Sequence, residues 1–307
     1  MLEHIEPLYR EQACHTFLIY RNLTAAEFGK SVTALQIYLA IVATSEQSMA
    51  EDWTSMKSAE IRSKYEHLDI HLKSRCAGLL EMCEPPNKNS TALLHYHSRK
   101  MEQVEYLHRT VKDFLETGHG QAIIRTSIKP SFNPNVRIIM SYVIMVRRLV
   151  LITEDSEAVS LFDADIWTSI FSVMKYAKAV DLVGNRDYLA VIDELGCTEF
   201  CMWQRDVDPW GQYGFSGFYR NPGDQWATCY QPRIWRRNFL GGVIYHDLCS
   251  YIKSKVELEP LIISNRQETP LLNYALLRNQ DVSMNMVELL LRLGGGPNQL
   301  WFGNTPW

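Results

Sequence analysis

The stretch Val104–Glu116, Val-Glu-Tyr-Leu-His-Arg-Thr-Val-Lys-Asp-Phe-Leu-Glu, changes its hydrophobic period halfway along. Val104 and Tyr106 alternate with polar neighbours, the pattern of a strand with one buried face. Leu107, Val111, Phe114 and Leu115 then recur at helical spacing and mark one face of a helix. A strand that runs directly into a helix fixes where that helix enters the core, so the segments on either side must pack around it. The polar face holds His108, Arg109, Lys112 and Asp113. Arg109 and Asp113 predict a surface ion pair worth about 0.3 kcal/mol. His108 reads as part of a solvated face rather than as a catalytic base.

A chain of 307 residues can bury one large core or two to three smaller ones. Its apolar share of 46% and charged share of 21% place it with folded proteins rather than disordered ones. A net charge of -4 gives no overall attraction to nucleic acid or to an anionic membrane. Seven cysteines and a start without the basic and apolar regions of a secretory signal predict free thiols and a cytoplasmic location. The most apolar run, Val136 to Ile152, contains Arg147 and Arg148 and falls short of the roughly 20 apolar residues a membrane span needs. It predicts a buried helix.

In chain order, Pro7 to Leu23 reads as a helix. Thr24 with Glu27 forms a capping box for a second helix burying Phe28, Val32, Leu35, Ile37, Tyr38 and Ile41. After a polar segment, Ile61, Tyr65, Leu68 and Leu72 repeat at helical intervals in a third helix. Cys76–Cys83 reads as a short strand, and Pro85 to Ser90 as a turn-rich segment. Gln103–Tyr106 is its partner strand. Helices, a two-stranded ribbon and a closing helix are the outline of a winged helix. Further on, Ala164 to Val183, Tyr188 to Leu195 and Gly242 to Val256 are helical by pattern, and paired helices are the expected arrangement. The fold class predicted is mainly α. Its regions are a winged-helix-like region with a short β-hairpin at 1–117, a helical region at 118–257 and a C-terminal helix pair at 258–307.

Between Pro209 and Phe239 the composition shifts. Trp210, Tyr213, Phe215, Phe218, Tyr219, Trp226, Tyr230, Trp235 and Phe239 are set among Arg220, Arg233, Arg236 and Arg237. Such interleaving can stack bases or bind sugars or phosphate, but the favoured reading is an irregular loop whose aromatics replace a missing local core.

Two stretches carry a family resemblance. Leu107, His108, Arg109, Thr110, Val111, Asp113, Phe114 and Leu115 resemble the "LHRTVxDFL" signature that follows the NTPase module of fungal NACHT proteins, NLR-like members of the STAND class of signalling ATPases. In the tail, Thr269, Pro270, Leu271 and Ala275 resemble the ankyrin opening "TPLHxA", with Leu272 where histidine usually stands. Leu289, Leu290 and Leu291 match the second ankyrin helix, and Gly294, Pro297 and Asn298 match "GADPN". Thr269 to Thr305 is a spacing of 36, against roughly 33 in the standard repeat, and the segment around Gln280 to Asn285 can absorb the excess. The Thr-Pro pair opens the first helix, the leucines pack against it, and glycine permits the left-handed turn that ends the second. One repeat cannot bury its own apolar face, so Gly242 to Ile262 is the surface it is expected to stack on. The resemblance implies a post-NTPase winged and helical arm with a partial ankyrin repeat, cut from a longer architecture whose nucleotide site lies upstream.

The residues that would do chemistry are sparse. Gly29-Lys30-Ser31 ends like a Walker A motif, but Thr24 stands where its first glycine belongs, so the backbone cannot curl around phosphate. Cys197 with Cys201, and His95 with His97, are pairs without the partner pair that structural zinc requires. No catalytic residue, metal ligand or cofactor is therefore expected, and no small-molecule substrate is evident. The favoured reading is a non-enzymatic module that meets protein partners through its ankyrin and helical surfaces, without a membrane. The alternative is nucleic-acid binding through the winged helix or the Arg and aromatic loop, which the mixed charges of the third helix disfavour. A third reading, an enzyme grouping Asp224 with His246 and Asp247, needs a cleft to gather them.

Overall fold

The computed structural model describes residues 2, 5–26, 32–42, 58–83, 103–152, 159–204, 239–263, 270–276 and 283–297. The expectations placed on Phe28, Gly29–Ser31, Pro85–Ser90, His95, His97, the loop 209–238, Thr269, Asn298 and Thr305 lie outside the described residues. The chain forms two compact units, Met1–Val173 and Met174–Trp307.

The first unit holds α1 (Pro7–Ala26), α2 (Ala34–Val42), α3 (Ser58–Ser74), β1 (Leu80–Cys83), β2 (Gln103–Tyr106), α4 (Arg109–Glu116), α5 (Gly118–Ser127) and α6 (Pro134–Ile152). The apolar run predicted to be a buried helix is α6. Ile138, Ile139, Tyr142, Val143, Ile144 and Val146 are all buried, and α1 and α2 pack against it. Its entry is set by Asn133, whose side chain accepts from Asn135 N at 3.0 Å, ahead of Pro134 at a position where proline is tolerated.

β1 and β2 pair antiparallel, with Leu80 opposite Tyr106 and Met82 opposite Val104 on the inward face. Glu81 stands opposite Glu105 on the outward face, a like-charge pair that costs a little stability. Thr33 bridges Gln103, and Val104 N donates to Val32 O at 3.0 Å. The residues just before α2 therefore lie along the far side of β2. Helix, bridging residue, two helices and a hairpin whose last strand pairs back to that residue follow the winged-helix outline.

The second unit begins inside α7 (Val159–Leu182) and continues with α8 (Leu189–Gln204), α9 (Phe239–Tyr245), α10 (Cys249–Leu258), a 3-10 turn (Pro260–Ile263), α11 (Leu271–Leu276) and α12 (Met284–Arg292). The chain is mainly α, with one two-stranded sheet among the described residues. α9 packs on α11 and α10 on α12, while α9 also meets α10 and α11 meets α12. Two consecutive helix pairs are thus stacked first on first and second on second.

Several local expectations are corrected. Thr24 does not start a second helix. It lies in the last turn of α1, where its hydroxyl reaches the carbonyls of Tyr20 and Arg21, and Thr33 takes the capping position, accepting from Gln36 N at 3.3 Å. The strand expected from Cys76 begins only at Leu80, because Ala77 and Gly78 adopt left-handed backbone (φ 52° and 66°) in ending α3. The helix expected over Gly242–Val256 is two helices. His246, Asp247 and Leu248 form a corner in which Asp247 has φ 60°, a conformation that aspartate tolerates better than most residues.

Candidate functional site

The signature helix is a structural element with a solvated face. His108 is its N-cap: in extended backbone, its Nδ1 accepts from Thr110 N at 3.2 Å. Sequence reasoning missed this role because histidine is not among the usual capping residues. Val111 and Leu115 are buried as expected, and Phe114 stands edge-on to His119, ring centroids 6.2 Å apart. Leu107 is the exception, 54% exposed, because it precedes the cap rather than lying on the helix. Arg109 and Asp113 do pair, at 3.6 Å, with both side chains largely in solvent, and such a pair adds little.

In a winged helix the third helix is the surface element a nucleic acid would meet. On α3 the exposed residues are Arg62, Ser63, Glu66, His67, Ile70, Lys73 and Ser74. Lys73 is already held by Asp69 at 2.6 Å, and Ile70 is 63% exposed in the midst of these charges. A reader of phosphates needs a basic stripe, and the described side chains of this face form none.

The inner side of α3 is tied to α1 through a buried hydroxyl. Thr16 is fully buried, donates to Gln12 O at 3.0 Å and lies 3.1 Å from His71 Nε2. With its hydrogen committed to Gln12, the hydroxyl accepts from the Nε2–H of His71. Arg75 donates to Gln12 Oε1 at 2.7 Å, and the buried thiol of Cys76 neighbours the same hydroxyl and is pushed up to about 12, chiefly by burial. Burial, and the Arg75 guanidinium after it, pushes His71 down from 6.5 to about 4. The folded chain therefore keeps this imidazole neutral over a range where the unfolded chain protonates it. Its contribution to stability is complete above pH 6.5 and is lost as pH falls from 6.5 toward 4. Unfolding free energies from urea titrations at pH 7 and pH 4.5 should differ by about 2 kcal/mol less in His71→Gln than in the wild type. An equal pH dependence in both would show that His71 carries no such burden.

The second unit is joined by three carboxylates. Asp181 near the end of α7 accepts from Tyr188 Oη at 2.5 Å and from Ser250 N at 3.1 Å. Leu248, the N-cap of α10, has no side-chain cap bond, so Asp181 supplies the acceptor that the helix start lacks locally. Lys178, one turn earlier, holds Asp247 at 3.0 Å. Asp193 on α8 accepts from Tyr251 Oη at 2.6 Å and from Lys255 at 2.6 Å. Tyr188 and Tyr251 are pushed up by burial first and by their carboxylate partners second. Cys249 is pushed up to about 11, again mainly by burial, so its thiol stays protonated and unreactive at neutral pH. The sequence put His246 and Asp247 into a possible acid–base group. The structure commits Asp247 to the α9–α10 corner and its lysine, while Asp224 lies outside the described residues.

The described ankyrin-like residues form a helix pair, α11 and α12. Pro270, Leu271, Leu272, Tyr274 and Ala275 are buried, and Ser283 caps α12 by accepting from Met286 N at 3.4 Å. Gly294 has φ 99°. Gly295 N donates to Leu290 O at 2.8 Å and Gly294 N to Leu291 O at 3.1 Å, the paired bonds of a Schellman ending. Of the three leucines expected to pack inward, Leu290 is fully buried and Leu289 partly buried, while Leu291 is 39% exposed. Pro297 lies exposed beyond the turn.

Among the described residues no group of three or more His, Cys, Asp or Glu could hold a metal, and no described helix is long and apolar enough to cross a membrane. The fold and these surfaces define a mainly helical chain whose polar groups serve to join its elements. It belongs to the family described as a domain of unknown function, DUF7791, whose model matches residues 4–157. That match contains the hairpin and the Leu107–Leu115 signature. No curated protein and no solved structure matches the chain.

Proposed function

We propose that the chain is a non-enzymatic, cytoplasmic protein-interaction and regulatory module, resembling the region that follows the nucleotide-binding core in NLR-like signalling ATPases of the NACHT–ankyrin kind. The observation that supports this reading is the stacking of α9–α10 on α11–α12. Helix pairs stacked in this way expose one side of each pair as a continuous surface, and repeat proteins use such surfaces to hold partners. On the last pair, Met284 is 71% exposed and Leu291, two turns on, 39% exposed, two apolar groups on one helix face for a partner to cover. The alternative, nucleic-acid binding, has the winged-helix outline on its side and the mixed charges of α3 against it.

Affinity capture with the intact chain, quantified against a Met284→Glu/Leu291→Glu variant, tests the reading. Neither side chain is in the core, so the variant is expected to keep the helical content of the wild type. It should recover its main protein partners at least about tenfold less well. Recovery of no partner by the wild type, or equal recovery by both chains, would remove the proposal. A salt-dependent gel shift with duplex DNA would transfer it to the alternative.

A further inference from the structure

Five side chains gather between α1 and the start of α6, away from the surfaces already described. His15 lies flat on Phe132, ring centroids 3.7 Å apart at an interplanar angle of 13°. Glu11, one turn before His15, is 3.4 Å from Lys129 Nζ and 3.8 Å from His15 Nε2. Arg137, in the first turn of α6, is near enough to His15 that its charge disfavours the imidazolium. Neither Arg137 Nη1 nor His15 Nε2 is reached by solvent, and neither has a hydrogen-bond partner among the described residues.

This is an unusual way to leave an arginine. A guanidinium nitrogen buried without an acceptor is costly, and burial lowers the pKa of Arg137 accordingly. The carboxylate in the cluster, Glu11, is engaged by Lys129 at 3.4 Å and lies farther, at 3.8 Å, from His15. The remaining positive charge sits on Arg137, beside the N-terminal end of a 19-residue helix whose dipole adds to it. We propose that this cluster is a binding site for a small oxyanion, a phosphate or carboxylate group, held by Arg137 and His15 with Lys129 at its rim. The planar guanidinium fork matches the oxygens of either group. Part of Arg137 remains at the surface, so an anion meets that part first and must displace the packing over Nη1 and over His15 Nε2, which solvent does not reach. Phe132 fixes the plane of the imidazole, and a negative charge seated beside it draws His15 toward its protonated form, against burial, Arg137 and Lys129 and with Glu11.

The test uses the intact chain with inorganic phosphate and, in parallel, acetate. Thermal unfolding and the NMR titration of the His15 ring are followed in the wild type and in Arg137→Met. In the wild type, anion at ten times its Kd should raise Tm by about 3–6 °C and move the His15 midpoint upward. Arg137→Met should unfold at or above the wild-type temperature in anion-free buffer, since an apolar chain replaces an uncompensated cation, and should lose both responses. Phosphate stabilises most proteins by exclusion from their surface, so only the part of the response that Arg137→Met abolishes counts. A response to either probe that the variant abolishes supports the site, and the effective probe names its chemistry. Equal responses in the two proteins, no response in the wild type, or a variant destabilised regardless of anion would overturn it.

Discussion

Asp181→Ala should lower the stability of the second unit by about 3–4 kcal/mol, since hydrogen bonds to a charged acceptor are worth roughly 1.5–3 kcal/mol each. The substitution leaves two donors stranded together. One is the hydroxyl of Tyr188, whose side chain is fully buried. The other is the Ser250 amide at the start of α10, where Leu248 provides no substitute. Two comparisons separate these parts. Tyr188→Phe removes one bond and its donor together and should cost only about 1 kcal/mol. Asp181→Asn keeps an oxygen acceptor and should fall between the two. Because the chain has two compact units, a whole-chain midpoint does not say which of them has lost stability. Hydrogen exchange of the α10 amides is the better one, and Asp181→Ala should reduce their protection several-hundred-fold. Protection unchanged in that variant would mean that α10 does not depend on its long-range cap.

Much of the first unit was legible because its signals are local. The period change at Leu107 places β2 and α4, and Gln103–Tyr106 is the strand that forms. The run from Val136 gives α6 because a helix whose middle, Ile138 to Val146, carries no charge has nowhere to lie but inside. What stayed hidden depended on partners far along the chain. Nothing near Leu248 announces that its helix is capped by Asp181, 69 residues before Ser250. The link between Thr16 and His71 spans 55 residues and joins two helices whose sequences each look complete alone. The corner at Asp247 was missed for a related reason. His-Asp-Leu carries no glycine or proline, and the left-handed aspartate is held by Lys178 from another helix. The donors around Arg137 were equally silent, since an arginine's lack of an acceptor is a property of the packed chain.

Gly241→Ala is the sharper test of how α9 meets α11. In an ordinary helix the change stabilises by about 0.5–1 kcal/mol. Here a Cβ at position 241 would lie 2.5, 2.6 and 2.8 Å from three ring carbons of Tyr274, closer than carbon atoms approach. Tyr274 is itself buried, so its ring has no solvent to swing into, and the helices must part. A net loss of about 2–3 kcal/mol is expected, in the range found for overpacked cores. Tyr274→Leu alone should cost a similar amount, about 2–3 kcal/mol, by leaving space unfilled. The two together should cost clearly less than their sum, because leucine vacates the region that the new methyl enters, and a coupling of about 1 kcal/mol or more should appear in the double-mutant cycle. Strict additivity would mean that Gly241 and Tyr274 are not in contact in solution. The first-on-first stacking of the helix pairs would then be wrong, and the interaction surface proposed for the chain would lose the geometry it rests on.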